Sequence, residues 1–157
     1  LPGLLAEVIS SMSRLEELEF ILDCGVEAIK KFETEFKRRD LTLSTVKKLV
    51  LGPNMHFLIA MCPNLNSLET SDGYPWYPRI LLEGNERHDL MNATKGATNL
   101  EEFGMDLRWN PTDLEQVREN MLQRKTLKLL GTISRKDCHC YCCSDRLSLT
   151  RKKIRVS

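Results

Sequence analysis

Five short stretches of the chain share one arrangement of apolar and polar positions: "LEELEF" from Leu15, "VKKLVL" from Val46, "LNSLET" from Leu65, "LEEFGM" from Leu100 and "LKLLGT" from Leu127. Each places a large apolar residue at its first and fourth positions, and the sixth is Phe20, Leu51, Thr70, Met105 or Thr132. Alternate side chains of a strand share a face. Positions 4 and 6 are therefore expected on a core face and positions 3 and 5 on the opposite one, with position 1 in the turn that leads in. Successive copies start 31, 19, 35 and 27 residues apart, each close to the length of one strand with one helix. Strands this short cannot cover an apolar face alone; stacked in parallel, each covers the next.

The intervening segments carry helical spacing. "PGLLAEVISSM" has Pro2 near its start. "VEAIKKFETEFKRR" places Val26, Ile29, Phe32 and Phe36 on one side of an amphipathic helix. "NMHFLIAMC" offers Asn54 as a cap, sets Phe57, Leu58 and Met61 together, and is stopped by Pro63. "ERHDLMNATKGA" ends at Gly96. "TDLEQVRENMLQ" shows Thr112 as N-cap with Glu115 completing a capping box, then Leu114, Val117, Met121 and Leu122.

Helix, turn and "LxxLxL" strand in five copies resemble leucine-rich-repeat proteins, most of all the irregular repeats of fungal F-box and leucine-rich-repeat proteins. The resemblance rests on "STVKKLVLGP" at Ser44–Pro53, "CPNLNSLET" at Cys62–Thr70 and "ATNLEEFGMDLRW" at Ala97–Trp109, and it organises residues 4–133. The asparagine ladder of regular repeats is missing, the repeat lengths vary, and an ordinary α/β domain with a parallel sheet fits the same alternation. The expected fold class is α/β: a leucine-rich-repeat-like solenoid of five short parallel strands alternating with helices over residues 1–133, followed by a cysteine-rich basic tail over residues 134–157.

The resemblance implies an arc with strands inside and helices outside. Its inner surface would be formed by Glu17, Glu19, Lys48, Val50, Ser67, Glu69, Glu102, Gly104, Leu129 and Gly131. The four carboxylates among them suit a partner with basic groups, or a solvated face. The resemblance also implies protein recognition, specifically the substrate-holding region of an F-box adaptor of a cullin-based ubiquitin ligase. No F-box pattern fits "LPGLLAEVISSMSRLEELEF". A chain with no initiator methionine is expected to be a fragment, or a processed product, of something longer; in the first case such a box would lie upstream.

Composition narrows the classes. A chain of 157 residues, 41% apolar and 29% charged, is expected to form one globular domain. Its apolar runs fall far short of the roughly 18 residues of a membrane span, and its start lacks the basic region of a secretory signal. A cytoplasmic or nuclear location is expected, which makes the "NAT" at Asn92 a coincidental sequon. The charge is unevenly placed: 16 Lys and Arg stand against 20 Asp and Glu up to residue 133, and 7 against 2 beyond it.

Candidate chemistry lies in two further places. "SDGYPWYPRILLEGN", residues 71–85, holds Tyr74, Trp76 and Tyr77 between prolines, and these aromatics either meet a partner or fold back over the open edge of the stack. Trp109 is expected to pack between strand and helix. In the tail, Cys138, Cys140, Cys142, Cys143 and His139 are of the type that binds zinc or monovalent copper, but without the second ligand pair of a structural zinc site. No metal or cofactor is therefore assigned. "RLSLTRKKIRVS" is a solvated basic tail, a nucleic-acid contact or a nuclear import signal, and its alternating Leu147, Leu149, Ile154 and Val156 could form a terminal edge pair. A metal- or nucleic-acid-binding protein acting through this tail is the alternative to protein recognition. Cys24 and Cys62 are expected as small core residues. Catalysis is not expected: His56, His88 and His139 fall on separate elements with no nucleophile motif, and the glycines form no phosphate loop.

Overall fold

The computed structural model describes residues 1–22, 24–70, 85–106, 111–135 and 149–155. Helices and strands alternate along it: α1 (Pro2–Ser11), β1 (Glu17–Phe20), α2 (Val26–Arg38), β2 (Lys48–Leu51), a 3-10 helix (His56–Met61), β3 (Ser67–Thr70), α3 (Asn85–Thr94), β4 (Glu102–Asp106), α4 (Pro111–Leu122), β5 (Leu129–Arg135) and β6 (Leu149–Arg155). The strands form one sheet in chain order, β1-β2-β3-β4-β5-β6. The first five are parallel, and β6 returns antiparallel to β5. Residues 149–155 of the basic tail thus belong to the sheet.

The register follows the pattern in the sequence. Leu18, Leu49, Leu68, Phe103 and Leu130, all at position 4, stand opposite one another across the five parallel strands. Leu49, Leu68, Phe103 and Leu130 are buried, as are Val46, Leu65, Leu100 and Leu127 at position 1. Leu15 and Leu18 are only partly buried because β1 is an edge strand with one covering neighbour instead of two. A single apolar cluster joins these side chains to Ala6 and Ile9 of α1, Ile29, Phe32 and Phe36 of α2, Phe57, Leu58, Ile59 and Met61 of the 3-10 helix, Leu90 of α3 and Met121 of α4.

Two backbone features recur, one in all five copies and one at the four junctions between them. The N–H of position 1 donates to the carbonyl three residues earlier in all five: Leu15 to Met12, Val46 to Leu43, Leu65 to Cys62, Leu100 to Ala97 and Leu127 to Arg124, at 3.1–3.2 Å. The carbonyl of position 2 then accepts two N–H groups of the following copy. Glu16 accepts from Lys47 and Lys48, Lys47 from Asn66 and Ser67, Asn66 from Glu101 and Glu102, and Glu101 from Lys128 and Leu129, at 2.8–3.1 Å. Both lone pairs of that oxygen are used, so each strand is set against its predecessor before the ladder proper begins. Side chains at the residue before position 1 add to this in two copies: Thr45 Oγ1 donates to the Leu15 carbonyl at 2.8 Å, and Asn64 Nδ2 to the Ser44 carbonyl at 2.7 Å.

Several local expectations are corrected. Val26 opens α2 and is 49% exposed, since the first residue of that helix lies outside the packed stripe. The segment after Pro53 is a 3-10 helix preceded by Met55, not a helix capped by Asn54. Asn54 instead takes the left-handed turn conformation, φ 58°, which its short polar side chain tolerates. Helix α4 begins at Pro111, so Thr112 lies inside its first turn, and the Glu115 carboxylate accepts from Arg118 at 3.1 Å. At the end of α2, Asp40 is left-handed at φ 50°; its N–H donates to the Lys37 carbonyl and that of Leu41 to the Phe36 carbonyl. This double closure reverses the chain without glycine and buries Leu41.

Four aromatic rings bind the first three units. Phe36, fully buried, meets Phe20, Phe32 and Phe57 edge to face at centroid distances of 5.9, 6.2 and 6.1 Å. Such pairs add about 0.5–1.5 kcal/mol each beyond the area they bury. Phe36→Ala is expected to lower the unfolding free energy by about 3–5 kcal/mol, measured by urea denaturation, since α2, β1 and the 3-10 helix would line the cavity together. A loss below about 1 kcal/mol would show that these rings do not hold the units together.

Candidate functional site

Positions 3 and 5 of the strands define the face opposite the core. The register aligns Glu17, Lys48, Ser67, Glu102, Leu129 and Arg155 in one row and Glu19, Val50, Glu69, Gly104, Gly131 and Lys153 in the next. Glu17, Glu19 and Glu102 are exposed; Lys48, Val50, Ser67, Glu69 and Leu129 are half-buried, and Gly104 is buried. A parallel sheet covered by helices on both faces has strands that are apolar throughout. Here positions 3 and 5 of β1–β3 are polar except for Val50, and all six are exposed or half-buried, which marks a face reached by solvent.

Six of the residues expected at a binding surface, Glu17, Glu19, Lys48, Ser67, Glu69 and Glu102, therefore share this face. Tyr74, Trp76 and Tyr77 lie outside the described residues, as do Trp109 and the cluster from Cys138 to Cys143. The face is not uniformly acidic. Lys48 Nζ donates to Glu17 at 3.4 Å, and at the turn just before the strands Lys47 pairs with Glu16 at 3.5 Å and Lys128 with Glu101 at 2.7 Å. These cross-strand pairs are exposed and contribute at most about 1 kcal/mol each; they fix which charges remain for a partner. Glu19 and Glu102 have no ion pair among the described residues, so they carry the negative potential of the face.

Some polar groups with structural roles had no visible signal in the sequence. Arg124, just after α4, is partly buried and donates to the carbonyls of Thr94 and Ala97 at 2.8 and 2.6 Å, closing the C-terminal end of α3. Burial lowers its pKa. Between α1 and α2, Arg39 donates to Glu7 at 3.0 Å and to Glu35 at 2.7 Å, and Arg38 also meets Glu35. Gly3 makes this possible, because a Cβ there would stand 3.0 Å from Glu35 Oε1 and 3.1 Å from the Arg39 guanidinium. A shallow depression lined by Glu7, Ser10, Ser11, Arg38 and Arg39 is the outer face of the same cluster.

The two cysteines among the described residues belong to the core. Cys62 is buried and its thiol is pushed up to about 12 by burial, so it stays protonated, while Cys24 packs half-buried against the core. Among the described residues no three His, Cys, Asp or Glu side chains come together in a way that could hold a metal ion. No described helix is long and apolar enough to cross a membrane. Comparison of the chain with protein-family models, with curated proteins and with solved structures gives no match in any of the three.

Two ionisable groups tie stability to pH. His56 Nδ1 is buried without a hydrogen-bond partner among the described residues, and burial holds the imidazole below its usual 6.5 against the opposing pull of Asp89 and Glu33. The hydrogen bonds from Arg38 and then Arg39 lower Glu35 from 4.5 to about 2. Both groups take up protons more readily in the unfolded chain, so both contributions are lost on acidification. That of His56 is intact above pH 6.5 and fades as the pH drops toward its folded value; that of Glu35 is intact above 4.5 and disappears by about 2. Urea unfolding as a function of pH should decline in these two windows. His56→Phe should remove the upper decline and Glu35→Gln should shrink the lower one. An upper decline unchanged in His56→Phe would mean that another group governs it.

Proposed function

We propose that this chain is a protein-recognition module of the leucine-rich-repeat type, a short solenoid whose open strand face holds a partner bearing basic groups. The observation that carries the reading is the fivefold recurrence of the lead-in turn together with the shared position-2 carbonyl at all four parallel junctions. Strict adjacency of consecutive strands in the order β1 to β5, with helices or a 3-10 helix between them, supports the same architecture. The exposed carboxylates of Glu19 and Glu102, on the face opposite the core, support a basic partner. The specific version favoured by the sequence resemblance is substrate capture for a cullin-based ubiquitin ligase, with the ligase contact made by an F-box outside these residues. Each repeat of a solenoid contacts only its neighbours, so binding residues on the strands can vary while the scaffold persists.

Photo-crosslinking tests where partners sit. A benzophenone amino acid replacing Ser67, on the strand face, should give discrete adducts in extract, and one replacing Thr34, on the exposed side of α2, should give none. Glu19→Lys with Glu102→Lys should abolish the Ser67 adducts while leaving the urea midpoint within about 0.5 kcal/mol of the parent. Equal adducts from both positions, or adducts indifferent to the charge reversal, would overturn the assignment of this face.

A further inference from the structure

Among the described residues the sheet has two free edges, and their charges are opposite. The outer side of β1 belongs to a strand that carries Glu17 and Glu19. The outer side of β6 belongs to one that carries Arg151, Lys152, Lys153 and Arg155. Free strand edges present rows of unpaired N–H and C=O groups that readily accept another strand. We propose that copies of this chain associate head to tail, β6 of one molecule adding β1 of the next to its sheet.

The register selects this pairing over the others. A two-fold pairing of β1 with β1 would bring Glu17 and Glu19 of one molecule against those of the other. A two-fold pairing of β6 with β6 would do the same with Arg151, Lys153 and Arg155. Like charges directly opposite are destabilising in a sheet. Continuing the existing rows across β6 instead sets Arg155 opposite Glu17 of the next copy and Lys153 opposite its Glu19, with Ile154 opposite Leu18. Added antiparallel to β6, the incoming β1 runs in the direction of β1–β5, so its helices fall in the same layer.

Helix α1 supplies an independent reason for the incoming end to be covered. Leu4, Val8 and Met12, four residues apart, are 63%, 42% and 48% exposed, while Ala6 and Ile9 on its other side are buried. This stripe lies on the outermost helix, beside the edge strand. An interface of two different surfaces does not close on itself as a dimer, so the assembly grows with concentration. The proposal does not depend on what the strand face binds.

Sedimentation velocity of the full chain over two decades of concentration tests it. Species larger than a dimer should form and should weaken with added salt. Glu17→Lys with Glu19→Lys, and separately Lys153→Glu with Arg155→Glu, should each weaken association by about tenfold or more. The fourfold variant carrying both reversals should associate as the parent does, which a loss of folding in either double variant could not produce. A chain that remains monomeric throughout overturns the proposal. So does association abolished by only one of the two reversals, which would indicate a two-fold contact of that edge with itself.

Discussion

The shared carbonyl at position 2 is the constraint on which the rest of the structure rests. A strand of four residues has too few ladder hydrogen bonds to choose its own register, and a slip of one residue would exchange core and solvent faces. By accepting N–H groups from positions 2 and 3 of the next copy, Glu16, Lys47, Asn66 and Glu101 fix that register before the strand starts. Leu49, Leu68, Phe103 and Leu130 then fall in line, and the apolar cluster is continuous from α1 to α4. Because the setting is local, the segment between strands is free to vary. A 3-10 helix of 6 residues serves between β2 and β3 where a helix of 13 serves between β1 and β2.

Much of this was legible in the sequence because it rests on periodicity. The alternation in "VKKLVL" and "LNSLET" is enough to place Leu49 and Leu68 inside and Lys48 and Ser67 outside, and the stripe in α2 is enough to place Phe32 and Phe36. What was not legible depends on distance in space. Nothing in the string marks Arg124 as the group that closes α3, because its acceptors are backbone carbonyls 30 and 27 residues away. Asn54 reads as a cap because asparagine favours both cap and left-handed turn, and only the path of the chain decides between them.

The candidate surface was legible to the same extent and no further. Strand alternation placed Glu17, Glu19, Lys48, Ser67, Glu69 and Glu102 on one face, yet pairing across strands decides which of their charges are available. Lys48 answers Glu17, and Lys47 and Lys128 answer carboxylates at the turn. The sequence spaces these partners 31 or 27 residues apart, so a count of acids along the chain overstates the negative field that a ligand would meet. The return of β6 beside β5 brings lysine and arginine into the rows that begin with glutamate, making the sheet polarised from edge to edge.

Cys62 gives the middle of the molecule a reporter of its own. It sits at the start of the turn into β3, its carbonyl held by Leu65 N–H and its sulfur sealed among apolar side chains. A thiol that burial keeps protonated reacts with an alkylating reagent only during moments when the surrounding layer parts. The speed at which it is labelled in the native protein thus measures how often the central units breathe, without any introduced probe.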